Sequence, residues 1–70
     1  MSIQSGDKVE WAWGNGTAGG EVEKINTTSV TRTIKGSEVT RNGSDDDPAL
    51  EIKQEDGTLV LKLASEVSKA

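Results

Sequence analysis

The 70-residue chain contains no cysteine and no histidine. It therefore cannot form a disulfide, and it lacks the usual zinc ligands, a cysteine nucleophile and a histidine general base. Stability has to come from packing alone, and a chain of this length has room for only one small hydrophobic core. We therefore expect a single non-enzymatic domain over residues 1–70 that holds no metal and uses no cofactor.

Long apolar runs are missing as well. Residues 1–7 contain neither the basic segment nor the apolar segment of a secretory signal, and no later run approaches the ~20 apolar residues of a membrane span. We expect a cytoplasmic monomer that has no contact with membranes.

Positive charge is scarce overall, because the net charge is −4. This balance argues against a dedicated nucleic-acid binder, which is usually basic. The middle of the chain is nevertheless locally basic, and two acidic segments flank it; the later one contains three consecutive aspartates. Either these charges attract each other across neighbouring strands, or the acidic residues form a small docking face. The basic residues of the middle segment are Lys24, Arg32, Lys35 and Arg41.

Hydrophobic residues recur at a spacing of two, and clusters of Gly, Asn and Asp interrupt them, which is typical of a small all-β barrel or sandwich. Residues 7–13 predict a first strand, with Trp11 buried and Trp13 more exposed at its end. In the second strand, at residues 19–26, Val22 and Ile25 are three apart. A flat strand cannot place both on one face, so we expect a bulge between them.

The second half of the chain predicts further strands at residues 29–35 and 38–41, a polar loop at residues 42–48, and a closing hairpin around Asp56 and Gly57. Ser65 is expected to cap one helical turn that runs to Ala70, with Val67 folding back on the core. Arg32 should either lie at the rim of the barrel or lay its aliphatic stem over apolar neighbours and keep its guanidinium in water. The predicted core consists of Val9, Trp11, Val22, Ile25, Val30, Ile34, Leu50, Ile52, Leu59, Leu61 and Leu63.

A series of short motifs runs through residues 3–70. They are Gly6-Asp7-Lys8-Val9 with Trp11 and Trp13, Gly16-Thr17-Ala18 with Gly20 and Val22, Thr33-Ile34-Lys35-Gly36, Arg41-Asn42, Ser44, Asp47-Pro48-Ala49 and Val60-Leu61-Lys62. In their order and spacing the chain is similar to the hypervirulence-associated Tudor domain family of small bacterial and fungal proteins. The resemblance implies a five-stranded antiparallel SH3-like barrel, related to Tudor and KOW domains, and a binding module of uncharacterised role.

Two functions remain open at this stage. The first is a protein-interaction module that holds an extended or basic segment of a partner protein or peptide. The second is KOW-like binding of nucleic acid through the basic middle segment, with Trp13 as a stacking platform. The acidic net charge favours the first, because it repels phosphate. Its expected site, where the loops of an SH3-like barrel gather, consists of Trp13, Arg41, Asn42, Ser44, Asp45, Asp46 and Asp47.

The three consecutive aspartates also raise the question of a metal site. Calcium requires six to eight oxygen ligands, but adjacent residues point apart, and the loop has no distal glutamate. A solvated turn is the better interpretation. Asp47, which precedes Pro48, is expected to fix this turn by accepting a backbone N–H through its carboxylate.

Overall fold

The structure, a computed structural model, describes residues 3–70. Within that range the chain forms antiparallel strands and one short 3-10 turn over Ala64–Glu66. The all-β fold class predicted from the sequence is confirmed. The strands are β1 (Lys8–Trp13), β2 (Gly16–Asn26), β3 (Ser29–Ile34), β4 (Ser37–Asn42), β5 (Ala49–Lys53), β6 (Leu59–Leu63) and β7 (Ser68–Lys69).

The strands form two sheets. One has five strands in the order β6-β5-β2-β1-β7, and the other is the β3–β4 hairpin. The expected single five-stranded barrel is therefore corrected: residues 3–70 contain seven strands, and their ladders do not close into one barrel. β3 and β4 pair only with each other, from Ser29↔Asn42 to Ile34↔Ser37, and neither shares a ladder with the five-stranded sheet.

The bulge predicted in β2 is confirmed. The register of β2 against β5 shifts between Val22 and Lys24, so that Val22 pairs with Ile52 and Ile25 pairs with Leu50. The extra residue places Val22 and Ile25 on the same side of the sheet, where both pack in the main apolar cluster. A local break in the period of two thus marks the place where the sheet bends.

Two apolar clusters make up the core of residues 3–70. Most predicted core residues are buried, and Val67 folds back on the core as expected. Leu59 is half-buried and lies in neither cluster. Ile3, Ala49 and Ala64 are buried but were not predicted. The first cluster consists of Ile3, Val9, Trp11, Val22, Leu50, Ile52, Ala64 and Val67; the second consists of Val30, Ala49 and Leu61, with Ile34, Val39 and Leu63 packed against it.

The C-terminal turn differs from the prediction. It is a 3-10 turn that ends at Glu66, and the chain then forms β7, which pairs with Val9 and Glu10 of β1. Ser65 does not cap this turn: its backbone N–H and its hydroxyl both donate to the carboxylate of Asp47, each at 2.8 Å. In the part of the chain that the structure describes, no helix is long and apolar enough to span a membrane.

Candidate functional site

Three hairpin turns border a groove at one end of the molecule. They are the turn after Trp13 between β1 and β2, the turn at Lys35 between β3 and β4, and the turn at residues 54–58 between β5 and β6. We call the cavity between them, of about 420 Å³, the Trp groove. It is lined by Trp11, Trp13, Ala18, Ile34, Lys35, Val39, Gln54, Asp56, Thr58, Val60, Leu61 and Lys62.

The two tryptophans play different parts in this groove. Trp11 lies in the core and is 7% exposed, whereas Trp13 is 72% exposed. Trp13 is the last residue of β1 and pairs with Gly16 at the start of β2, so the sheet ends there and leaves the indole uncovered. The predicted contrast between the two side chains is confirmed, and Trp13 offers a broad apolar surface at the groove.

The charged residues of the Trp groove are two lysines and one aspartate. The ammonium of Lys62 lies 5.8 Å from the centroid of the Trp11 ring, a cation–π contact. Lys35 has a φ of 51° and Gly36 has a φ of 79°, the left-handed pair that a two-residue hairpin turn requires. The groove is thus locally positive in a chain whose net charge is −4.

Asp56 organises the β5–β6 turn. Its Oδ1 atom accepts the backbone N–H of Thr58 at 2.9 Å. Hydrogen bonds from the backbone and side chain of Thr58, and to a smaller extent the charge of Lys35, lower the pKa of Asp56 below its ordinary value of 3.8. The ionised carboxylate therefore helps to hold one wall of the Trp groove.

This geometry predicts how the turn responds to acid. A carboxyl whose pKa is lower in the folded state contributes stability above its ordinary value of 3.8 and loses it as the pH falls through the lowered folded-state pKa. Hydrogen exchange of the Thr58 amide should therefore accelerate, relative to its intrinsic rate, as the pH falls below 3.8. In Asp56→Asn the exchange rate of the Thr58 amide, relative to its intrinsic rate, should not change over this pH range. If the unsubstituted domain and Asp56→Asn show the same pH dependence, the carboxylate does not hold the turn.

The remaining predicted site residues are engaged elsewhere. The Nε atom of Arg41 donates to Glu66 Oε1 at 3.2 Å. The backbone N–H of Ser44 donates to Asp47 O, and the backbone N–H of Asp47 donates to Ser44 Oγ, both at 3.1 Å. Asp47 also accepts the backbone N–H of Ser65, so it fixes the loop through its carboxylate as the sequence predicts.

The structure does not bring Trp13 together with these residues. The Trp groove lies at the tip of the β3–β4 hairpin, whereas Asn42 pairs with Ser29 at the base of that hairpin, and the backbone N–H of Gly43 donates to Thr28 O. None of the other six predicted site residues lines the Trp groove. These six are Arg41, Asn42, Ser44, Asp45, Asp46 and Asp47; all but Arg41 and Asp47 are exposed.

Two of the four basic residues of the middle segment, Arg32 and Arg41, are engaged in ion pairs. Arg32 donates from Nε and Nη2 to the two carboxylate oxygens of Glu51, at 3.2 and 3.1 Å. Its guanidinium therefore forms an ion pair, whereas the sequence led us to expect it in water. Glu51 is buried and also accepts a hydrogen bond from Asn26 Nδ2 at 3.0 Å. A charged residue between Leu50 and Ile52 in a buried strand was the sequence signal for this pair.

Comparison with known protein families identifies the chain's relatives. The family model "Hypervirulence associated proteins TUDOR domain" matches residues 6–67. The chain belongs to this family. The match runs from the turn before β1 to the residue before β7, so it includes the whole Trp groove. No curated protein and no solved structure matches the chain significantly.

Tudor-type domains are small binding modules, and this Tudor-type domain has few aromatic residues. Aromatic cages that bind methylated ammonium groups surround the cation with several rings. Here both tryptophans come from β1, the sequence contains no Tyr or Phe, and the Trp11 ring already contacts Lys62. The groove therefore presents one open aromatic face, that of Trp13, rather than a cage.

Proposed function

We propose that this Tudor-type domain is a non-catalytic protein-interaction module that binds an extended peptide segment in the Trp groove. The observation that carries the proposal is the 72% exposure of Trp13 beside an apolar groove. Exposed tryptophans next to a concave apolar surface are typical of interaction sites, where they supply much of the binding energy.

The lining of the groove supports a particular ligand chemistry. Ile34, Val39 and Val60 are half-buried, so they can receive an apolar side chain next to Trp13. Lys35 and Lys62 add two ammonium groups, which suit a carboxylate on the same segment. The ligand we propose is therefore an extended segment in which an apolar residue stands next to acidic residues.

Nucleic-acid binding is the second candidate, and one observation favours it. An exposed tryptophan with two lysines in one groove could stack a base and contact its phosphates. The negative net charge opposes this function, and so do the ion pairs that engage Arg32 and Arg41. We therefore rank peptide binding first.

The loop at residues 42–47 remains a separate candidate surface. The exposed carboxylates of Asp45 and Asp46, beside Arg41, Asn42, Ser44 and Asp47, could hold a basic side chain of a partner at the base of the β3–β4 hairpin. This surface would act independently of Trp13, because the two lie at opposite ends of that hairpin.

A titration of the isotope-labelled domain, followed by NMR, tests the proposal. The probes are a peptide of alternating Glu and Leu residues and a single-stranded oligothymidylate. We expect the peptide to shift the signals of Trp13, Ile34 and Val60, and Trp13→Ala to weaken binding by about tenfold or more. Asp45→Asn combined with Asp46→Asn serves as the control and should bind the peptide normally.

Three results would contradict the Trp groove as a peptide site. Unchanged affinity in Trp13→Ala would show that the indole does not contact the ligand. Tighter, strongly salt-dependent binding of the oligothymidylate would support the nucleic-acid function. Shifts confined to residues 42–47, and lost in the aspartate variant, would support the loop surface.

A further inference from the structure

One edge of β2 is only partly covered. β2 (Gly16–Asn26) pairs with β1 from Gly16 to Glu21, but its ladder with β5 begins only at Glu21, which pairs with Lys53. β5 ends at Lys53 and the chain turns away toward β6. Among residues 3–70, no strand therefore pairs with residues 16–20 on this side of the sheet, although the end of β5 packs against Gly20.

The backbone groups of this edge point outward in a regular pattern. The backbone N–H of Val22 donates to Asp7 O at 2.8 Å, and Val22 O accepts the N–H of Gly6 at 2.7 Å, so Val22 is directed toward β1 and the segment before it. Because orientation alternates along an antiparallel strand, the groups of Thr17 and Gly19 are directed to the open edge. Neither residue has a β5 partner in the described part of the chain.

An acidic groove of about 890 Å³ borders this open edge. Five exposed carboxylates line it against two lysines, Lys8 and Lys53, so the lining carries a net charge of −3 (two minus five). Gly19 has no side chain, which leaves the edge accessible at its centre. The carboxylates belong to Glu10, Glu21, Glu23, Glu55 and Asp56.

We propose that the open edge of β2 binds a basic, extended segment of a partner protein as an added strand. The N–H and C=O groups of Thr17 and Gly19 supply the main-chain hydrogen bonds. A strand with Lys or Arg at every second position places those cations on one face, toward the carboxylates of the acidic groove. This surface lies across the β5–β6 turn from the Trp groove and does not depend on peptide binding there, although Ala18, Gln54 and Asp56 border both.

A titration with a blocked hexapeptide of alternating lysine and valine tests this proposal, with a peptide of alternating glutamate and valine as the comparison. We expect only the lysine peptide to shift the amide signals of Thr17 and Gly19, to slow their hydrogen exchange, and to bind less tightly as salt is added. If neither amide responds, the edge is not a binding site, and its carboxylates serve to prevent sheet-to-sheet association.

A pair of proline substitutions distinguishes binding at the open edge of β2 from binding elsewhere on the β1–β2 hairpin. Thr17→Pro removes an outward N–H without breaking the β1–β2 ladder, so binding of the lysine peptide should fall by about tenfold or more. Ala12→Pro is the matched control, because Ala12 pairs with Thr17 and its N–H points to the opposite edge of the hairpin. Equal affinity in the two variants would overturn the proposal. If Thr17→Pro does not fold, the unsubstituted domain provides the test instead. Hydrogen exchange of its Gly19 amide that is the same with and without the lysine peptide would overturn the proposal.

A charge-matched pair of variants tests the role of the carboxylates. Glu21→Gln with Glu55→Gln changes the acidic groove, whereas Asp45→Asn with Asp46→Asn changes the net charge equally at the 42–47 loop. Only the first pair should lower the affinity for the lysine peptide, by several-fold. Equal weakening would indicate a general charge effect and contradict the site. Trp13→Ala should bind the lysine peptide normally. The test of the open edge is therefore independent of the test of peptide binding in the Trp groove.

Discussion

Truncation of Leu61 to alanine is expected to destabilise the domain by about 2 to 5 kcal/mol, through lost burial and an unfilled cavity. Leu61 is 2% exposed and packs with Val30 and Ala49. Its cluster joins the β3–β4 hairpin to the main sheet, with which that hairpin shares no ladder within residues 3–70. Small domains have only about 5 to 15 kcal/mol of stability, so Leu61→Ala should lower the urea midpoint strongly.

The same strand offers a matched control for this measurement. Leu59→Ala removes the same atoms from β6 on the same face, but Leu59 is only half-buried and lies outside both clusters. Its midpoint should fall much less than that of Leu61→Ala. Equal midpoints for the two variants would mean that Leu61 does not hold the hairpin. Because Ile34, Lys35 and Val39 of the hairpin line the Trp groove, Leu61→Ala should also weaken any ligand bound there.

Local patterns in the sequence were sufficient to predict most strands and turns. Alternation in β1 arises because Val9 and Trp11 face the core while their neighbours face water, and the spacing of Val22 and Ile25 requires a bulge. Alternation failed in β5, where residues 49–52 are all buried. A strand covered on both faces has no polar face to reveal its register, so Ala49 was missed.

The candidate site could not be predicted to the same extent, because it depends on contacts between distant segments. Arg41 is separated from Glu66 by 25 residues, and Asp47 is separated from Ser65 by 18. No local pattern reveals such pairs. The full-length pairing of β3 with β4 also decides that residues 42–47 lie at the base of the hairpin, away from Trp13. An SH3-like arrangement of loops, inferred from the resemblance, would have placed them together.

Lys62 and Val60 show a further limit of the sequence signal. The predicted core included the alternating leucines of β6 but neither Val60 nor Lys62. In the structure Val60 packs against the first cluster, and the Lys62 ammonium lies over the Trp11 ring. Both residues line the Trp groove because the sheet curves far enough for β6 to approach β1. Curvature of this kind is a property of the whole sheet, so single strands do not reveal it.

Gly43→Ala is the second substitution with a large expected effect on stability. A Cβ atom on Gly43 would overlap Asn26 O and would lie 2.7 Å from Ala49 N and 2.9 Å from Thr28 O. All three are backbone atoms, so no side chain can rotate to relieve the overlap. The loop would have to move away from the last pair of the β2–β5 ladder, Asn26 and Ala49. We expect a loss of about 1 to 3 kcal/mol or more, measured as a lower denaturation midpoint.

Gly16→Ala is the control, because the nearest atom to a Cβ there is Trp13 O at 3.9 Å, an ordinary contact. The denaturation midpoint of Gly16→Ala should stay close to that of the unsubstituted chain. If the midpoint of Gly43→Ala is also unchanged, the close approach of Gly43 to neighbouring backbone does not constrain the fold. The folded fraction of Gly43→Ala should still bind ligands in the Trp groove with unchanged affinity, because that groove lies at the other end of the β3–β4 hairpin. Gly43→Ala therefore tests whether the 42–47 loop and the Trp groove, which lie at opposite ends of the hairpin, act independently of each other.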